Sequence, residues 1–107
     1  MQDTIRGKTI RWTFSDGPTK GKSFEHEFGS DGTLKYRMEG GKTTTENKYE
    51  VEQISKDVCA VSYLASSGWT LTCVLDFATG KVVGFASNDK QLVVQHGTFE
   101  TVRDRAA

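Results

Sequence analysis

The stretch Gly68-Trp69-Thr70-Leu71-Thr72-Cys73-Val74-Leu75-Asp76-Phe77 decides the fold. Trp69, Leu71, Cys73, Leu75 and Phe77 occupy alternate positions, with Thr70, Thr72 and Asp76 between them and Val74 alone breaking the polar set. Successive side chains of a strand point to opposite faces, so this is a strand with one apolar and one mostly polar face. Ala78-Thr79-Gly80 leads into Lys81-Val82-Val83-Gly84-Phe85-Ala86, the second arm of a hairpin. Gly80 supplies the positive φ that a tight turn requires. Val74 and Val82, read as outward beside Thr72 and Gly84, give this hairpin a modest apolar outer patch. Isologous dimers are the commonest oligomers, so a homodimer is an expectation.

Upstream, the same alternation recurs. Ile10, Trp12 and Phe14 alternate with Thr9, Arg11 and Thr13; Phe24, His26 and Phe28 alternate with Glu25 and Glu27. Leu34, Tyr36 and Met38 face inward against Lys35 and Arg37. Thr43 to Ile54 reads as one longer strand with Tyr49 and Val51 inward, and Cys59, Val61 and Tyr63 alternate in the next. Downstream, Leu92, Val94 and His96 alternate on an inward face, with a bulge expected at Gly97 that hands the inward position to Phe99. Ser15-Asp16-Gly17-Pro18, Gly29-Ser30-Asp31-Gly32, Gly40-Gly41 and Ser87-Asn88-Asp89-Lys90 are turns. About eight short strands with turn signals roughly every ten residues predict an all-β sandwich or barrel. Short connections favour an antiparallel up-and-down meander, closed into a small eight-stranded barrel.

The 107 residues suit one domain, 1–107, with 1–6 and 103–107 expected to fray. Fourteen Lys plus Arg balance 14 Asp plus Glu, and no basic cluster is interleaved with aromatics, so neither nucleic acid nor an anionic membrane is an expected partner. No apolar run reaches the ~20 residues of a membrane span, and Met1-Gln2-Asp3-Thr4 lacks a signal-peptide pattern. A cytoplasmic location is the expectation, and Cys59 and Cys73 are then thiols. Two cysteines on separate strands and two distant histidines do not make a metal site, and no cofactor is expected.

The inward faces predict a ligand-binding set: Trp12, Phe14, Phe24, His26, Tyr36, Met38, Tyr63, Trp69, Leu71 and His96. Rings supply area, and hydroxyl, indole and imidazole tips orient a small apolar or aromatic molecule. His26 and His96 are candidate catalytic bases, because imidazole titrates near neutrality. No Gly-x-Ser-x-Gly and no phosphate loop accompanies them. Two rival readings stand beside ligand binding. One is an isomerase, cyclase or lyase acting through an interior histidine. The other is an interaction module whose barrel is solid.

Gly7-Lys8, Trp12-Thr13-Phe14, Gly32-Thr33-Leu34-Lys35-Tyr36-Arg37-Met38, Val61-Ser62-Tyr63, Leu71 to Phe77 and Val83-Gly84-Phe85 follow one another in an order that resembles the calycin-type barrels of the phenolic acid decarboxylases and their MoaF-like relatives. The resemblance runs to about Phe85 and implies an eight-stranded, often dimeric barrel with an interior cavity. The decarboxylase machinery departs from the pattern. Its two first-strand tyrosines correspond to Trp12 and Phe14, its arginine to a position near Lys42, and its glutamate to a position near Ala65. Without phenols or carboxylate, the resemblance implies a MoaF-like barrel without phenolic acid decarboxylase activity and with no defined function of its own.

Overall fold

The computed structural model describes residues 4–104, and these form strands and turns with no helix among them. Nine strands follow in order: β1 (Lys8–Phe14), β2 (Ser23–Phe28), β3 (Leu34–Met38), β4 (Thr44–Glu46), β5 (Glu50–Gln53), β6 (Val58–Leu64), β7 (Thr70–Asp76), β8 (Lys81–Ser87) and β9 (Leu92–Asp104). They make one antiparallel sheet in the order β4-β3-β2-β1-β9-β8-β7-β6-β5. Each strand pairs with its sequence neighbour, except that the first and last strands also pair and β4 does not pair with β5. The sheet curls into a barrel wall whose two edge strands are joined by residues 47–49.

That seam divides the single strand expected over Thr43 to Ile54. Thr44–Glu46 pairs with β3, whereas Glu50–Gln53 pairs with β6. Tyr49 drives the crossing. Its N–H donates to the Gly32 carbonyl at 3.2 Å and its hydroxyl to the Gly29 carbonyl at 2.7 Å. Its buried ring meets Phe28 edge-on at 5.2 Å. The linker is thereby pinned to the β2–β3 turn and not to a continuing ladder.

The organising hairpin forms as the alternation predicts. Leu75 pairs with Val82, Cys73 with Gly84 and Leu71 with Ala86, and Gly80 turns the chain at φ 76°. The register corrects one parity: Val82 lies opposite inward Leu75 and is 1% exposed, so it belongs to the core. Val83 and Phe85 are the outward residues of β8. The apolar outer patch accordingly runs through Val74, Val83, Phe85 and Val94, which are cross-strand neighbours.

β9 is also inverted relative to expectation. Leu92, Val94 and His96 are exposed, while Gln95 is buried and Val93, Gly97 and Phe99 share its face. Leu92-Val93-Val94 is apolar on both parities, so alternation alone does not choose a face. Pairing with β8 chooses it, because Val94 lies opposite outward Phe85. Gly97 is not a bulge. It lies in register with both Phe14 and Val82, and a Cβ there would run into the Thr13 carbonyl oxygen. The register shift falls later, where Thr9 pairs with Arg103 and Ile10 with Thr101.

The terminal segments are ordered further out than expected. Ile5 is fully buried, the Thr4 N–H donates to Gln53 Oε1 at 2.9 Å, and Arg103 and Asp104 pair with β1. The rest of the segments expected to fray, residues 1–3 and 105–107, lies outside the described residues. Among the described residues no helix is long and apolar enough to cross a membrane.

The core concentrates at one end. Phe28, Ile5, Ile10, Leu34, Leu75, Val82 and Cys59 are its fully buried side chains. Phe77 and Phe99 meet edge-on at 4.9 Å beside them. Burying a side chain of this size contributes about 1.5–3 kcal/mol, so this aliphatic plug supplies much of the stability.

Candidate functional site

None of the seven fully buried side chains lines the interior cavity, whose volume is about 370 Å³. It occupies the other end of the barrel. The first three strands contribute Trp12, Phe14, Phe24, His26 and Tyr36, and the strands after the seam contribute Tyr63, Leu71 and Cys73, with Trp69 just before β7. Their convergence follows from alternation, because each has the parity that its strand turns inward.

Eight of the ten expected ligand-binding residues line this cavity: Trp12, Phe14, Phe24, His26, Tyr36, Tyr63, Trp69 and Leu71. Met38 and His96 do not. Met38 ends β3 and is 41% exposed, beyond the lining. His96 stands on the outer face, where its Nδ1 lies 2.9 Å from Asp16 Oδ2 and its backbone N–H donates to Asp16 Oδ1 at 2.7 Å. Those bonds hold the carboxyl of Asp16 below its usual range, the backbone N–H of His96 most of all. The inverted parity of β9 thus removes His96 as a candidate base inside the barrel.

His26 is the centre of the site. It is 2% exposed, and Trp12 stacks on it at 4.0 Å with 20° between the planes. Tyr36 stacks at 5.4 Å with 13° between the planes. Its Nε2 shares a hydrogen bond of 2.8 Å with the hydroxyl of Tyr63. Its Nδ1 is buried and has no partner among the described residues. Burial pushes the His26 pKa from 6.5 down to about 3, so the ring is neutral. Burial, with a smaller contribution from Tyr36, pushes the Tyr63 phenol upward. Burial also pushes the Cys73 thiol up to about 12. The polar corner of the cavity is therefore uncharged.

Two features were not legible in the strand pattern. Glu46, on the short strand β4, brings a carboxylate to the rim: its Oε2 accepts from the Tyr36 hydroxyl at 3.2 Å and from the Ser66 N–H at 2.8 Å. The link spans the β4 side of the seam to the β6–β7 turn, beside Ala65. Thr44-Thr45-Glu46 is polar on both parities, so no periodicity singles it out. The second feature is Gln95. Its Nε2 donates to the Asp16 carbonyl at 2.9 Å and to Thr19 Oγ1 at 2.7 Å, which fastens the β1–β2 loop at the cavity mouth. Pro18 and Thr19 of that loop line the cavity. A glutamine inside an apolar run reads as an outward residue until the register is known.

Among the described residues, no Lys, Arg, Asp or Glu lines the cavity. Lys42, the position nearest to the decarboxylase arginine, is exposed. The arrangement offers flat apolar surface, one neutral imidazole–phenol pair and no counter-charge for an anion.

Comparisons with known proteins agree with the architecture. The family model described as MoaF N-terminal domain matches residues 1–91. Among solved structures, a protein from Burkholderia vietnamiensis provisionally named a β-lactamase superposes with a TM-score of 0.79 at 18% sequence identity, covering 95% of this chain and 99% of that one. At that identity the likeness carries the fold, and the activity in the name stays with the neighbour. No curated protein matches the chain.

Proposed function

The chain belongs to the MoaF N-terminal domain family, and from that premise we propose that it is a small-molecule-binding β-barrel that holds an apolar or aromatic ligand in its interior, without phenolic acid decarboxylase activity. The observation that carries this reading is the 370 Å³ cavity walled by Trp12, Phe14, Phe24, Tyr36 and Trp69, with His26 and Tyr63 as its polar corner. A volume of this size lies at the lower end of the range for ligand pockets. The aromatic rings of the lining suit a flat molecule, and the neutral His26–Tyr63 pair suits one polar group.

Binding is favoured over proton transfer. A general base works best with a pKa near the operating pH. His26, at about 3, holds a proton too weakly for that role. The positions that correspond to the decarboxylase phenols are Trp12 and Phe14, and Ala65 stands near the position of its glutamate, so a hydroxycinnamic acid would meet neither its anchor nor its acid. A carboxylate entering the cavity would lose hydration with no cation to compensate.

Tryptophan emission tests this, because Trp12 and Trp69 both face the cavity. Neutral aromatic probes should quench it saturably, the matched hydroxycinnamic acid should bind less tightly, and no carbon dioxide should be released. Decarboxylation of the acid would overturn the reading, as would a flat response to every probe. Turnover of a bound probe that a His26→Ala variant loses while still binding would favour the isomerase, cyclase or lyase alternative.

A further inference from the structure

The polar corner of the cavity has one hydrogen more than it uses. Neutral histidine carries one N–H and neutral tyrosine one O–H. His26 and Tyr63 share a single hydrogen bond, 2.8 Å between Nε2 and the phenolic oxygen. One bond uses one of the two hydrogens, whichever way it points. If Tyr63 donates, the remaining hydrogen sits on Nδ1 of His26, which is buried without a partner among the described residues. If Nε2 donates, the remaining hydrogen sits on the Tyr63 hydroxyl, which makes no second hydrogen bond to them. Both residues line the cavity, but Nδ1 itself is sealed from it, so only the second arrangement offers the hydrogen to a molecule inside. Leaving such a donor unmade is costly in a dry wall, and an acceptor that meets it regains that cost.

We propose that the cavity selects an uncharged, flat molecule whose essential polar group is a hydrogen-bond acceptor of the carbonyl type, received by the Tyr63 hydroxyl while Nε2 of His26 donates to the phenolic oxygen. This rests on the ligand-binding reading above and makes it specific. A carboxylate accepts more strongly, but it would be desolvated in a lining without Lys or Arg. A hydroxyl group can accept, yet it brings a hydrogen of its own into a corner that already has one too many. Size follows from volume. An engineered cavity of roughly 150 Å³ holds one benzene, so about 370 Å³ has room for two fused rings with a short substituent.

The test is a matched set of two-ring probes read by tryptophan quenching: 2-acetylnaphthalene, its hydrocarbon isostere 2-isopropenylnaphthalene, 2-naphthol and 2-naphthoate. The ketone should bind at least about fivefold more tightly than the hydrocarbon, with the naphthol between them and the naphthoate weakest. In a His26→Phe, Tyr63→Phe double variant the ketone preference should fall below about twofold while the hydrocarbon still binds. A measurement on the unaltered protein does not depend on that variant folding. The infrared carbonyl stretch of bound 2-acetylnaphthalene should lie below its frequency in hexane. Equal affinity for ketone and hydrocarbon, a hexane-like stretch, or tightest binding by the naphthoate would overturn the acceptor assignment and leave the cavity reading intact. Failure of all four probes to bind would overturn both.

Discussion

At one end of the barrel Ile5, Ile10, Phe28, Leu34, Leu75 and Val82 are sealed from water, and at the other Trp12, His26, Tyr36, Tyr63 and Trp69 surround open space. The same strands build both ends with the same inward parity. What differs is the side chain placed there. Aliphatic residues interdigitate and fill, as close-packed interiors do. Stacked rings hold one another apart: Trp12, His26 and Tyr36 form a pile with centroid spacings of 4.0 Å and 5.4 Å. Stability is concentrated at the filled end and ligand chemistry at the open one, so changes at the two ends should separate in kind.

The largest expected effect is at the filled end. Phe28→Ala should lower unfolding free energy by about 3–5 kcal/mol in chemical denaturation, because the ring is fully buried and its removal leaves a cavity. A loss near zero would erase the distinction between the ends.

The next effect comes from the open end and is a function of pH. The unfolded chain protonates His26 below about 6.5, whereas the folded chain resists until about 3. Between those values the unfolded state binds the extra proton, so stability falls as pH falls through this window. The limiting slope is about 1.4 kcal/mol per pH unit. A His26→Phe variant should show a shallower acid slope by about one proton. Denaturation curves at pH 6.5, 5 and 4 for both proteins would reveal it. Parallel curves would mean that the ring is hydrated and the open end wet.

Trp69→Ala sharpens the comparison at a smaller scale. Trp69 is half-buried against the cavity, and the change should cost about 1–2 kcal/mol, below the Phe28 loss. A loss as large as that of Phe28→Ala would place Trp69 in the packed core.

The smallest effect is expected outside both ends. Asp16→Ala removes the exposed contacts to His96 but leaves Gln95 holding the loop through Thr19 and the residue-16 carbonyl. Exposed ion pairs contribute little to stability. The denaturation midpoint should hold, and amide exchange of residues 17–20 should quicken. Unchanged exchange would mean that Gln95 alone fixes the mouth.

The sequence by itself determined the class of the fold, the organising hairpin and the aromatic part of the cavity wall. Alternation is a local property, written in consecutive residues, and strand geometry converts it directly into faces. Eight wall residues followed from parity alone, because apolar and polar residues separate cleanly in β1, β2 and β3 and in part in β6 and β7. Where both parities are apolar, as in Leu92-Val93-Val94, or both polar, as in Thr44-Thr45-Glu46, the local signal carries no direction. There the neighbouring strand decided. Pairing with β8 turned Gln95 inward and His96 outward, and Tyr49 divided one expected strand between the two edges of the sheet. The meeting of His26 with Tyr63 belongs to the same class. They lie 37 residues apart on strands that are not neighbours, and only closure of the barrel brings the imidazole within 2.8 Å of the phenol. Tertiary structure alone decides which polar hydrogens find partners, since that depends on distances across the barrel and on nothing in either residue's own strand.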